Sequence, residues 1–134
     1  MDRKLTEENK IKGLDISKGL EQHNGNSEKY ILELQTYADD IRSLIKRIEA
    51  VDKRWLFSYK TIVHEIKGAS DDVFAEGIAE MATGLERAAT NGDFDYIVKY
   101  NSAFVESTKK LLDKIEELLS RIDADNPTKK VSGY

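Results

Sequence analysis

Between positions 30 and 48 apolar residues return at every third or fourth place: Tyr30, Ile31, Leu34, Tyr37, Ala38, Ile41, Leu44, Ile45 and Ile48. An α-helix turns once in about 3.6 residues, so this spacing gathers them on one face of an amphipathic helix of at least about five turns. Nowhere does the chain keep the alternation of period two that a half-buried strand requires. What it can fold into is thereby restricted to helices packed on helices.

The same period recurs downstream. After a break near Val51-Asp52, a second long helix is expected from about Lys53 to Asp71. A third carries Phe74, Ile78, Met81, Ala82, Leu85 and Ala89 on its apolar face and stops at Asn91-Gly92. Asp93 offers a cap for a fourth, which carries Ile97, Phe104, Leu111, Leu112, Ile115, Leu118, Leu119 and Ile122. Unbroken, that helix reaches roughly 40 Å. Upstream, Asp15 is placed to cap a short helix bearing Ile16 and Leu20, ended by the turn formers His23-Asn24-Gly25-Asn26. Ser27 is expected to cap the long helix that follows, with Glu28 in its first turn.

The expected fold is all-α: an antiparallel up-and-down four-helix bundle with a short extra N-terminal helix. Residues 1–12, mostly charged or polar, are expected to form a flexible lead-in, residues 13–122 the bundle, and residues 123–134, with Pro127 and Gly133, a flexible tail. Gly77 and Gly84 lie seven apart on the third helix and read equally well as a close helix–helix contact or as tolerated surface glycines.

Composition narrows the function. A chain of 134 residues supports one sizeable core, and its lack of cysteine removes disulfides, thiolate metal sites and cysteine nucleophiles. The net charge of -4 comes from interspersed acids and bases, with no basic stripe of the kind that binds nucleic acid. No apolar run approaches the roughly 20 residues of a membrane span, and the polar opening Met1-Asp2-Arg3-Lys4 lacks a signal core. A cytoplasmic location is expected.

Chemistry concentrates on the second helix. On a wheel of about 100° per residue with His64 at zero, Ile62, Ile66, Ala69 and Val73 fall between about 140° and 200°. His64 faces away from this stripe, and Lys60, Lys67, Gly68 and Asp71 lie within about 60° of it. A neutral imidazole is a competent nucleophile toward phosphorus. A neighbouring ammonium disfavours the imidazolium and balances the charge of a phosphorylated ring. Glycine inside a helix costs about 1 kcal/mol relative to alanine, and at position 68 it offers clearance for a partner approaching the ring.

The string Val63-His64-Glu65-Ile66-Lys67-Gly68-Ala69-Ser70 resembles the signature of histidine phosphotransfer (HPt) domains: His, any residue, an aliphatic, Lys, Gly, a small residue, then often Ser. Gly13-Leu14-Asp15-Ile16, Gly19-Leu20 and Tyr30 through Leu34 look like the opening of such domains in hybrid sensor kinases. Trp55 falls where the family often has an aromatic, and Ile78-Ala79-Glu80-Met81-Ala82, Leu85-Glu86 and Gly92-Asp93 follow the downstream pattern. The resemblance covers roughly residues 13–119. One position departs: ten residues after the histidine, where the family commonly has glycine, stands Phe74. Either the turn into the third helix is reshaped there or Phe74 adds to the core.

The resemblance implies a phosphorelay intermediate and not an enzyme in the usual sense. His64 would be the phosphorylated nucleophile, Lys67 the group that stabilises phosphate charge, and Gly68 the steric clearance. The partners implied are receiver domains of response regulators, which carry the magnesium, and a hybrid sensor kinase in cis or trans. This chain would hold no cofactor or metal and act as a monomer, without nucleic acid or membrane. The competing readings are a catalytically silent HPt-like interaction module, the phosphorylated domain of a chemotaxis-type kinase, and a generic helical adaptor.

Other motifs lead elsewhere or nowhere. His64-Glu65 begins like a zinc-protease helix, but Gly68 stands where the second histidine belongs. Asp39-Asp40 and Asp71-Asp72 are acidic pairs without a parallel sheet to present them, and no glycine-rich loop cradles a nucleotide. His23, in a turn, reads as a solvated side chain.

Overall fold

The turn formers and caps read from the sequence divide the chain into helices. A computed structural model describes residues 5–6 and 9–124. In chain order its elements are α1 (Ile16–Gln22), α2 (Ser27–Arg47), a 3-10 turn (Lys53–Trp55), α3 (Leu56–Asp72), α4 (Glu76–Thr90) and α5 (Phe94–Ala124). No strand forms among the described residues; Ile11 and Leu14 make one isolated bridge.

Local chemistry sets the boundaries. The Asp15 side chain accepts from the Lys18 amide at 3.1 Å, and Asp93 from the Tyr96 amide at 3.1 Å, so both cap as their positions suggest. The cap of α2 is Asn26, which accepts from the Lys29 amide at 3.2 Å, and not Ser27. The Ser27 hydroxyl instead accepts from the Leu5 amide at 3.0 Å and donates to the Leu5 carbonyl at 3.2 Å. Leu5 and Ile11 are buried with the core, so packing begins ahead of the boundary expected at residue 13. The segment expected to open the second long helix is the tighter 3-10 turn, capped by Asp52, with α3 proper starting at Leu56. Helix α5 runs to Ala124; the rest of the expected tail, with Pro127 and Gly133, lies outside the described residues.

Phe74 corrects the sequence reading most sharply. It does not sit on the apolar face of α4, which begins two residues later, but in the turn joining α3 to α4 with φ at 66°. The turn keeps the left-handed conformation that glycine favours, and a phenylalanine is held in it. Its carbonyl accepts from the Asp15 amide at 3.0 Å and its ring is half-buried beside the α1 entry. The turn is therefore not reshaped, and Phe74 covers the α1 entry without joining the core.

The core runs the length of the helices through Ile31, Leu34, Ile41, Ile66, Leu85, Phe104 and Leu112, all buried. Each such side chain contributes about 1.5–3 kcal/mol. The broadest interface joins α3 to α4; α5 packs on both α4 and α2, and the α2–α3 contact is sparser. Buried polar groups lock the helices in register. Asn101 on α5 accepts from the Tyr59 hydroxyl of α3 at 2.8 Å and donates to the Ile48 carbonyl at the end of α2 at 2.7 Å. The Tyr37 and Ser70 hydroxyls meet at 2.8 Å, tying α2 to α3, and burial pushes the Tyr37 phenol up to about 12. Two polar links therefore hold α3 on either side of the turn that carries His64.

Small residues admit close approaches at two places. A Cβ on Gly19 would stand 2.1 Å from the Tyr30 ring, so α1 reaches that ring only because position 19 is bare. A Cβ on Gly84 would stand 2.8 Å from the Tyr96 hydroxyl, whereas one on Gly77 would meet nothing within 4 Å. The two readings of that glycine pair thus divide, one to each residue.

Candidate functional site

Helix α3 buries Tyr59, Ile62, Val63, Ile66 and Ser70. His64 projects from the opposite side with its side chain 66% exposed, as the wheel requires. Gly68, one turn on, is exposed, and a Cβ there would meet nothing within 4 Å. The backbone beside the imidazole is therefore bare. Lys60 and Lys67 are half-buried and Asp71 is exposed.

The sequence reading missed the group closest to the ring. Glu86 on α4 brings Oε2 to 2.8 Å from His64 Nδ1, while its Oε1 lies 3.9 Å from Lys67 Nζ. Its side chain is 20% exposed. A carboxylate has no proton to give, so Nδ1 must donate, and in the neutral ring the lone pair then belongs to Nε2. Glu86 thus sets the tautomer and ring orientation, and joins His64 and Lys67 through its two oxygens. The wheel places Lys60, Lys67 and Asp71 around His64, and the group that contacts its ring is the Glu86 carboxylate from another helix. A signal was present in the positions flanking Glu86: Ala82, Leu85 and Ala89 fix the buried face of α4, and Glu86 borders it.

This arrangement is suited to nucleophilic attack on phosphorus. The ring is reachable, its attacking nitrogen is specified, and an anion and a cation stand ready for opposite charges. Were Nε2 to form a bond to phosphorus, the positive charge growing on the ring would be met by Glu86. Lys67, beside the same carboxylate, could supply positive charge to an anion at Nε2; an exposed pair at about 4 Å gains about 1 kcal/mol, and more once a partner excludes water.

The remaining candidates lie apart. His23 is not the solvated side chain its turn suggested: it is 20% exposed, with Nε2 at 3.0 Å from Glu33 Oε2 and its ring centroid 6.1 Å from that of Tyr30. Asp39, Asp40, Asp71 and Asp72 are exposed on helices. Among the described residues no three His, Cys, Asp or Glu side chains converge on a point that would hold a metal ion, and no helix is long and apolar enough to cross a membrane. Comparison with protein-family models, with curated proteins and with solved structures finds no match to this chain.

Proposed function

We propose that this chain is a histidine phosphotransfer domain that takes a phosphoryl group onto His64 from the phospho-aspartate of one receiver domain and passes it to another. The observation that carries this reading is an exposed imidazole whose Nδ1 is engaged by Glu86 at 2.8 Å, beside a lysine and a bare glycine. On this reading α2 to α5 form an antiparallel up-and-down four-helix bundle with α1 appended, acting as a monomer in the cytoplasm. Short connections between long helices favour that topology.

In the forward step the Nε2 lone pair attacks phosphorus and the bond to the receiver's carboxylate oxygen breaks, releasing that carboxylate. The Nδ1 proton stays on the ring, and Glu86 balances the resulting charge. The second transfer reverses these changes, with an aspartate of the next receiver as nucleophile. Magnesium belongs to the receiver, where it neutralises the carboxylates around the transferred group. The chain is a covalent carrier and not a kinase.

The test is direct. Incubation with a phosphorylated receiver domain should label the protein with an acid-labile, base-stable phosphate. His64→Gln should abolish the label without changing the circular dichroism spectrum or melting temperature, because the ring is exposed. His23→Gln should keep the label. Retention of label in the His64 variant would falsify the assignment, and complexes that form without labelling would point to a silent binding module.

A further inference from the structure

Phe57 is 82% exposed, the most open of the large apolar side chains among the described residues. It stands on α3 seven residues before His64, hence about 20° away around the helix and about 10 Å along it. The two side chains share a face. One turn beyond His64 the same face is bare at Gly68, and it ends at exposed Asp71. A phenylalanine left in water on the reactive face gives up the stabilisation that burial would bring, and its neighbour Trp55 is also 62% exposed.

Charge divides along the same line. Lys60 lies one turn after Phe57 on α3, and Lys53 stands in the 3-10 turn before it with its ammonium 5.8 Å from the Phe94 ring centroid, while Asp71 and Asp72 close the helix past His64. Arg54 adds little to this division, since its guanidinium is held by Asp52 at 2.8 Å. The positive end of the α3 dipole lies at the Phe57 end too. The face is thus cationic and aromatic before His64, flat beside it and acidic after it.

We propose that Phe57, with Lys53 and Lys60, is the docking anchor for the phosphoryl-exchange partner, a protein whose surface presents an apolar recess rimmed by carboxylates. This rests on the reading of His64 as a phosphocarrier. The partner's carboxylate-rimmed recess takes the Phe57 ring on the lysine side, its phosphorylated aspartate then lies over His64, and Gly68 lets the adjoining surface lie close. The acidic end at Asp71 and Asp72 repels the reverse placement. Phe57 therefore acts on the encounter, by capturing the partner when it approaches α3 in the productive direction.

The experiment compares two phosphoryl donors on the intact chain. Phosphoramidate, a small donor that needs no docking, should label wild type, Phe57→Ser and Lys53→Glu at equal rates. With a phosphorylated receiver domain held below saturation, Phe57→Ser should be labelled at least ten-fold more slowly. Lys53→Glu should lose less, and raising the receiver concentration should restore most of the maximal rate for both variants. Melting temperatures should stay within error of wild type, since the Phe57 and Lys53 side chains are exposed. Equal receiver rates for Phe57→Ser and wild type overturn the anchor while leaving the phosphocarrier reading intact. A wild-type protein that neither donor labels at His64 overturns both. A loss in maximal rate that high receiver concentration does not recover also overturns the anchor, because docking acts on the encounter.

Discussion

Two histidines in this chain are each paired with a glutamate, yet they are set up for opposite ends. His23 gives Nε2 to Glu33 at 3.0 Å and is 20% exposed; His64 gives Nδ1 to Glu86 at 2.8 Å and is 66% exposed. The hydrogen bond is the same and the geometry around it is not. At His64 the nitrogen left with the lone pair is the outer one of an exposed ring, beside a lysine and a bare turn of helix. At His23 the remaining nitrogen is the one nearest its own backbone, the ring lies by Tyr30, and the groove it lines is otherwise acidic, with Asp40 and Asp72. An incoming phosphoryl group would meet only negative charge there. A histidine–carboxylate pair by itself therefore says little about reactivity; which nitrogen is taken and what charges surround the other decide it.

Removing the carboxylates in turn should break the symmetry most strongly. Glu86→Ala leaves Nδ1 without its acceptor and the growing ring charge without its counter-ion. It should slow transfer to His64 by roughly thirty-fold, about 2 kcal/mol of barrier. Glu86→Gln keeps an acceptor oxygen and loses the charge, so it should fall between, separating orientation from charge. Glu33→Ala should leave transfer within error of wild type and lower stability by about 1 kcal/mol, the worth of one part-buried hydrogen bond. Rapid-quench transfer and urea melts on the three variants decide the matter. Equal transfer losses at positions 33 and 86 would mean the pairs do not differ in kind.

A smaller effect is expected from the cation that only one site possesses. Lys67→Ala should slow transfer about ten-fold, or about 1.4 kcal/mol, with folding barely changed. Lys60→Ala should cost less, because the Glu86 bridge reaches position 67. Arginine at position 67 should rescue in part, since a planar fork presents its charge differently from an ammonium. Single-turnover rates for the three variants check this, and equal losses at 60 and 67 would reduce Lys67 to one of several diffuse charges.

The contrast between the two histidines also marks what could be read from the sequence alone. Periodicity within one helix was legible: it put His64 opposite the apolar stripe and Gly68 beside it, because both facts depend only on about 100° per residue. Helix caps at Asp15 and Asp93 were legible for the same local reason. Glu86 and Glu33 were not, since a partner on another turn or helix depends on rotation and offset that no single segment encodes. Leu5 was missed because one leucine among polar residues makes no period, although it is 4% exposed. Ser27 was assigned the cap that belongs to Asn26, as two adjacent cap formers compete and the Leu5 backbone claimed the serine.

The smallest effect concerns the turn behind His23, and it tests whether that side of the molecule is separable from the reactive one. Phe74 holds φ at 66°, and the carbonyl of its neighbour Val73 accepts from the Tyr30 hydroxyl at 2.9 Å, with the Tyr30 ring against His23. Truncation to alanine loses the half-buried ring and keeps the unfavourable backbone. Truncation to glycine loses the same ring and relieves the backbone, by about 1 kcal/mol. Phe74→Gly should therefore be more stable than Phe74→Ala by about 1 kcal/mol, the reverse of the order at an ordinary helical position. Both should transfer phosphate at the wild-type rate, because the turn reaches His64 only through the far end of α3. Urea denaturation gives the first comparison and single-turnover transfer the second. If alanine proved the more stable, the left-handed turn would not persist in solution. If either variant slowed transfer, the two histidine regions would be coupled through α3, and their contrast would be one of degree.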